Sequence, residues 1–322
     1  MDWILLGIPI GIVMLYFGSD WMVRGAKGIA LRLGVAPFVI GLTVLAFGSS
    51  APECITSIVS GDTPEIIIGN VVGSNIANIG LAIGLAAVVG PLAAKYKSMR
   101  FELAVMMLSA IMVTAMAMTG MIGFLEGLML FCALFVFVFA VYRLKKDDKE
   151  GQEAYTADAD EDDGPSFMKS MPMLIVLVVV GLVLLYFGAQ FFIGGAKELA
   201  RMVGVSDMLI GLIVVAIGTS LPELCISVMA AHKGEADLAV SNIVGSNIFN
   251  AFFVLGVGSL LTDIPIADSM LIFHLPMMLV FSAVMFLMIR FRNRIDRPMG
   301  VILLAIYAIY IVAMAMVPSL TI

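Results

Sequence analysis

Gly11-Ile-Val-Met-Leu-Tyr-Phe-Gly18 returns 170 residues later as Gly181-Leu-Val-Leu-Leu-Tyr-Phe-Gly188. The same offset carries Gly34 onto Gly204, Gly48 onto Gly218 and Glu53 onto Glu223, with 22 identities between residues 11–60 and 181–230 and no gap. A second block, Gly69-Asn-Val-Val-Gly-Ser-Asn-Ile-Ala-Asn78, matches Ser241-Asn-Ile-Val-Gly-Ser-Asn-Ile-Phe-Asn250 at an offset of 172. Apolar bias does not reproduce glycines, glutamates and asparagines in register, so the chain is an internal duplication.

The rest of the sequence says what medium the two copies occupy. The chain has 322 residues, 61% of them hydrophobic and 13% charged, with a mean hydropathy of +1.10. That excludes a water-soluble enzyme. Apolar stretches long enough to cross a bilayer recur along its length, at 3–19, 36–60, 66–91, 101–118, 124–142, 172–192, 207–230, 238–261, 270–289 and 299–317. The expected architecture is an all-α membrane protein of ten transmembrane helices. Five spans separate equivalent positions, and an odd number turns the second copy upside down. The ten helices therefore read as two inverted five-helix repeats, residues 1–142 and 172–322, joined by a linker over 143–171.

The charges fix the orientation. With the amino terminus outside, 16 of the 18 Lys and Arg fall on the inner side, and only Lys197 and Arg201 stay outside. Both termini are then external and the linker is cytoplasmic in a multi-pass plasma-membrane protein. Within the linker, 9 of the 24 acidic residues lie between Asp147 and Asp163, which reads as a solvated segment. Asp158, Asp160 and Asp162 match the opening of an EF-hand loop, but Asp163 replaces its glycine and Lys169 its bidentate glutamate. Met1-Asp2-Trp3 lacks the basic region of a signal peptide, so no cleaved segment is expected. Cys54, Cys132 and Cys225 read as small buried side chains.

Only two acids fall well inside the expected spans, Glu53 and Glu223, and they are repeat equivalents. A carboxylate at the centre of a membrane helix costs about 2.5–3.5 kcal/mol, so it calls for a cation, a proton or water. Ser49 and Thr219 stand one helical turn before them, at i−4, on the same face. Pro52 and Pro222 remove the donors for the carbonyls of Gly48 and Gly218, and the expected result is a kink with free oxygens. Ser74 and Asn78, and their counterparts Ser246 and Asn250, again lie at i and i+4. Gly69 and Gly73 permit close helix approach. Carboxylates, hydroxyls and amides are hard oxygen donors, which suit Ca²⁺, Mg²⁺ or Na⁺ better than zinc or copper, with Mg²⁺ disfavoured because it sheds water reluctantly. The remaining polar groups, Asp20, Glu102, Glu126, Asp207, His232 and His274, fall near span boundaries, where water can reach them.

Gly-Ser/Thr-Ser-x-Pro-Glu and Gly-Ser-Asn-Ile-x-Asn, each present twice, resemble the α-repeats of the Na⁺/Ca²⁺ exchangers in the cation/Ca²⁺ antiporter superfamily. The resemblance covers nearly the whole chain. It implies exchange of Na⁺ for Ca²⁺ by alternating access, with Ca²⁺ extruded and spans 1 and 6 sliding over the rest. It also implies a ligand set: carboxylates of Glu53 and Glu223, hydroxyls of Ser49, Ser50, Thr219, Ser220, Ser74 and Ser246, amides of Asn78 and Asn250, and carbonyls of Ala46 and Ala216. No cofactor is implied beyond the transported ions, and the partner is the lipid bilayer rather than nucleic acid. A monomer suffices for transport, with the oligomeric state left open. Relatives that depend on K⁺ carry Asp where this chain has Asn250, which argues against K⁺ co-transport. The Gly-Asn-x-x-Glu pattern of proton-driven exchangers is absent from both repeats. A proton/Ca²⁺ antiporter remains the first alternative and a cation channel the second; an intramembrane enzyme lacks any nucleophile-base pair.

Overall fold

A computed structural model describes residues 3–50, 64–145, 170–203, 218 and 220–317. Among them, eight helices are long and apolar enough to cross a membrane: α1 (Ile4–Leu33), α3 (Glu65–Val89), α4 (Tyr96–Ala117), α5 (Phe124–Leu144), α6 (Met171–Met202), α8 (Ala236–Leu261), α9 (Met270–Arg292) and α10 (Arg297–Met316). Two shorter apolar helices, α2 (Phe38–Ser50) and α7 (Leu221–His232), border residues outside the described set. Such lengths follow from the medium. A span must cover about 30 Å at 1.5 Å per residue while satisfying its own backbone hydrogen bonds.

Burial separates an inner from an outer layer. In α3 and α8, 78% and 83% of the most apolar window is buried, against 28% to 39% in the other long helices. These two helices carry the doubled asparagine motif. Around them pack α2, α7, α9 and α10, and α1 and α6 pair along their length.

The α1–α6 contact is made by backbone. A Cβ added at Gly18 would lie 2.9 Å from the carbonyl oxygen of Gly181, and one added at Gly181 would lie 2.8 Å from that of Gly18. Gly11 meets Gly188 in the same reciprocal way, at 2.7 and 3.2 Å. Each helix offers a glycine every seventh residue, Gly11, Gly18 and Gly25 against Gly181, Gly188 and Gly195. This is the small-residue packing that membrane helices use when water supplies no driving force.

The all-α expectation needs one amendment. Four two-residue strands pair at the ends of α4: β1 (Leu92–Ala93) runs antiparallel to β4 (Arg294–Ile295), and β2 (Met121–Ile122) to β3 (Ile264–Pro265). Each pair is closed by a residue in the left-handed region. Asn293 (φ 53°) accepts from the Ala94 amide at 3.0 Å, and Gly120 (φ 84°) accepts from the Ile266 amide at 3.0 Å. Asn293 Oδ1 also accepts from the Tyr96 amide, at 2.8 Å, and so caps the start of α4. Since α4 is about 33 Å long, the two pairs stand at opposite ends of it, that distance apart.

Several polar residues expected in water are enclosed by protein. Asp20 is only 8% exposed and pairs with Arg24, 2.9 Å away, and with Lys233, 2.5 Å away, while Lys27 pairs with Glu235. These pairs tie α1 to the turn between α7 and α8. Burial holds the Lys233 pKa below its usual value, although the carboxylate of Asp20 pulls it the other way. Glu102 and His274 are fully buried, and His274 Nδ1 lies 2.8 Å from the Tyr310 hydroxyl. Cys132 is exposed on α5 rather than buried, Cys225 is partly buried, and Cys54 lies outside the described residues. Asp207 and the EF-hand-like stretch also lie outside them.

Asp20→Asn is expected to lower the melting temperature of the detergent-solubilised protein more than Lys233→Met does. The first leaves a half-buried ammonium without its nearest partner, at about 1–3 kcal/mol; the second leaves Asp20 still paired to Arg24. Equal shifts in the two variants would contradict this.

Candidate ion-binding site

The site is assembled where α2 and α7 meet the inner helices α3 and α8. Close backbone approach sets α2 against α8. A Cβ added at Gly245 would lie 2.6 Å from the Leu42 carbonyl oxygen and from the Ala46 side chain, and one added at Gly41 would collide with Ser241 Oγ. On the other side Asn242 of α8 donates to Ser227 Oγ of α7 at 3.1 Å and to the Glu223 carbonyl at 3.4 Å.

Three of the four π-helical segments among the described residues adjoin candidate ligands; the fourth, Met270–His274, does not. Asn78 opens a π-helical segment (Asn78–Ile83), and its counterpart Asn250 opens another (Asn250–Val254). A third (Gly41–Leu45) ends immediately before Ala46. Such wider turns displace backbone oxygens from their helical partners and recur at functional sites. The kink expected at Pro222 involves residues 204–217 and 219, which lie outside the described residues. Ser220 is non-helical (φ −92°, ψ 6°), and α7 starts at Leu221 with Pro222 in its first turn, a position that needs no amide donor. Glu223 is consequently in the first turn of α7, where the helix dipole favours negative charge.

Of the twelve expected ligand residues, Glu53, Thr219 and Ala216 lie outside the described residues. The other nine, Ala46, Ser49, Ser50, Ser74, Asn78, Ser220, Glu223, Ser246 and Asn250, are each no more than 2% exposed. They face protein, not lipid. Seven of their side-chain oxygens have no hydrogen-bond partner among the described residues: Ser50 Oγ, Ser220 Oγ, Ser246 Oγ, Asn78 Oδ1, Asn250 Oδ1 and both carboxylate oxygens of Glu223. The Ser49 hydroxyl lies beside Glu223 but donates to the Leu45 carbonyl, at 3.0 Å, so its lone pairs are left for other use. Ser74 is engaged more loosely, with its hydroxyl 3.4 Å from Asn70 Oδ1.

A buried acceptor without a donor costs about 1–3 kcal/mol, and a charged one costs more. Seven such oxygens on the candidate ligand residues would be a severe defect in an ordinary core. They are hard acceptors short of donors, the kind that a cation stripped of water would satisfy.

Two residues that the sequence reading passed over complete the arrangement. Asn75 Nδ2 donates to the Asn247 carbonyl (3.2 Å) and Asn247 Nδ2 to the Asn75 carbonyl (3.3 Å). Asn78 Nδ2 donates to Asn247 Oδ1 (3.0 Å) and Asn250 Nδ2 to Asn75 Oδ1 (3.2 Å). Asn75 and Asn247 stand three residues before Asn78 and Asn250 in both copies of the motif. That spacing on one helix face was the available signal.

Comparison with known proteins places the chain in a family. The family model described as sodium/calcium exchanger protein matches residues 3–143 and 173–316. The sodium/calcium exchanger MaX1 of Methanosarcina acetivorans is 33% identical over 95% of this chain and 96% of its own length. An uncharacterised membrane protein of Methanocaldococcus jannaschii is 34% identical over 97% of this chain and 99% of its own. A solved structure of the sodium-calcium exchanger NCX_Mj superposes with a TM-score of 0.82 at 31% identity, covering 97% of this chain and 99% of that one. With both halves matched by the family model and the relatives aligned nearly end to end, the chain belongs to the sodium/calcium exchanger protein family.

Proposed function

We propose that the protein is a secondary antiporter that moves Ca²⁺ out of the cell in exchange for Na⁺ entering through the same site by alternating access. The observation that carries this reading is that seven buried oxygens on the candidate ligand residues have no hydrogen-bond partner among the described residues. In this reading Glu223 and Glu53 are the two carboxylates. Ser49, Ser50, Thr219, Ser220, Ser74 and Ser246 supply hydroxyls, Asn78 and Asn250 amides, and Ala46 and Ala216 carbonyls. Two carboxylates neutralise one Ca²⁺, and Na⁺ ions replace that charge when Ca²⁺ leaves. An amide at Asn250 adds no third charge, which weighs against a coupled K⁺.

The architecture in this proposal is ten membrane crossings in two inverted halves, 1–142 and 172–322, with both termini outside and residues 143–171 in the cytoplasm of a plasma-membrane protein in which a monomer suffices for transport. Support comes from features that occur twice: the reciprocal Gly18–Gly181 and Gly11–Gly188 contacts, the crossed asparagines, and the paired strands at each end of α4. Inverted duplication suits a transporter, since the halves can exchange conformations around one central site.

The test is Ca²⁺ uptake by sealed proteoliposomes holding the purified chain. Preloading with Na⁺ is expected to drive uptake against a Ca²⁺ gradient, with no uptake when choline replaces Na⁺. Uptake that ignores Na⁺ and follows an imposed pH gradient would make it a proton/Ca²⁺ antiporter. Passive Ca²⁺ current without a counter-ion would make it a channel.

A further inference from the structure

We propose that Asn75 and Asn247 are positioning residues, each fixing which end of the opposite half's ligand amide faces the transported cation; this rests on the exchanger reading of the site. A carboxamide carries one acceptor end and one donor end of nearly the same shape. Turned one way it offers Ca²⁺ an oxygen, and turned the other way it presents N–H groups that repel it. Packing alone discriminates poorly between the two. Hydrogen bonding decides.

The order of decision can be followed atom by atom. Backbone carbonyls accept only, so the Asn75 carbonyl requires the Nδ2 end of Asn247, which donates to it at 3.3 Å. That leaves Asn247 Oδ1 facing Asn78, whose Nδ2 must then be the end that approaches, at 3.0 Å. Asn78 Oδ1 is forced the other way, where it has no donor among the described residues. The mirror chain runs from the Asn247 carbonyl through Asn75 Nδ2 (3.2 Å) and Asn75 Oδ1 to Asn250 Nδ2 (3.2 Å), and leaves Asn250 Oδ1 without a donor. All four residues are no more than 3% exposed, so water does not compete for these bonds. The chains cross between the halves: Asn75 on α3 orients Asn250 on α8, and Asn247 on α8 orients Asn78 on α3.

The crossing also bears on residue 250. An aspartate there would set a carboxylate oxygen against Asn75 Oδ1, acceptor to acceptor. Asn75 therefore favours the neutral amide and the lower charge of this site.

The experiment measures equilibrium binding of ⁴⁵Ca²⁺ to the purified full chain, with melting temperature followed in parallel. Asn75→Leu and Asn247→Leu keep the side-chain shape and remove the orienting acceptor. Each is expected to raise the half-saturating Ca²⁺ concentration about 10–100-fold, the usual loss when the partner of a metal ligand is removed. A merely structural role does not predict the next result, which is crosswise coupling. Asn75→Leu adds nothing in an Asn250→Ala background and its full effect in an Asn78→Ala background, and Asn247→Leu behaves in the opposite sense. Asn75→Asp loses the donor to the Asn247 carbonyl but retains an acceptor for Asn250, and it is expected to bind Ca²⁺ more tightly than Asn75→Leu. It keeps the comparison available if the leucine variant fails to fold. Unchanged binding in both leucine variants, additive losses in every pairing, or a loss in Asn75→Asp equal to that in Asn75→Leu would overturn the assignment. If the unaltered chain shows no saturable Ca²⁺ binding, the exchanger reading falls first and this one with it. If Ca²⁺ binds but Na⁺ does not compete, only the coupling fails and the amide orientation stands.

Discussion

Glu223→Gln is expected to abolish Na⁺-driven Ca²⁺ uptake, by at least about 100-fold, and to leave the protein folded and as stable as before or more so. The two effects have one cause. Glu223 is 1% exposed, and neither carboxylate oxygen has a hydrogen-bond partner among the described residues, so an ionised carboxylate there calls for a cation. Glutamine keeps the shape, one oxygen and the start of α7, but it removes the unit charge that compensates for stripping a divalent ion of water. At the roughly 1.4 kcal/mol that corresponds to each factor of ten, a loss of about 3 kcal/mol in site electrostatics already gives 100-fold, and several kcal/mol are at stake for a buried ion. Uptake in proteoliposomes and thermal melting in detergent measure the two sides. Normal uptake in the variant would remove Glu223 from the site. Lost uptake with a large fall in melting temperature would mean that the carboxylate holds the fold together instead.

Gly181→Leu is expected to be the most destabilising substitution outside the site. The added Cβ would stand 2.8 Å from the Gly18 carbonyl oxygen and 3.0 Å from the Met22 nitrogen, and both are backbone atoms that cannot swing aside. The α1–α6 pair must separate along its length, and the reciprocal contact at Gly18 is lost with it. Overpacking of a close contact costs about 1–3 kcal/mol when neighbours can adjust, and more where only backbone is available to move. Gly194→Ala is the control. No atom lies within 4 Å of its added Cβ, and alanine gains up to about 1 kcal/mol over glycine in a helix. Melting temperatures that fall sharply for the first and hold or rise for the second are the expected result; equal shifts would deny that the glycine face is a contact.

The sequence was legible where it repeats and less so where structure depends on partners far away in the chain. The doubled Gly-Ser-Asn-Ile-x-Asn motif pointed to Ser74, Asn78, Ser246 and Asn250, and all four are buried in the inner helices. Asn75 and Asn247 stood in the same motif, but their task is to bond across 172 residues, and no local periodicity announces that. Asp20 and Glu102 look like boundary residues to a hydropathy window, which measures distance from water along the chain and cannot see enclosure by other helices. The Asp20–Arg24 pair could be read from its i,i+4 spacing, whereas the Asp20–Lys233 pair could not. His274 is similar: its partner Tyr310 arrives from another helix. Proline 222 was recognised as a helix disruptor, but whether a proline bends a helix or begins one depends on the geometry of Ser220 before it. The strands are two residues each, too short for any alternation to register.

Those small strands set a schedule for biogenesis. β1 cannot find β4 until the ribosome has added some 200 further residues, about 10–40 s of synthesis at ordinary elongation rates. Helix α1 likewise waits for α6, and β2 for β3. The nascent first half thus leaves the translocon with its seams open on both membrane faces, and it closes only when nearly the last helix has been inserted. A chain terminated before α6 forfeits every one of these closures, whereas one terminated after β3 lacks only the β1–β4 pair.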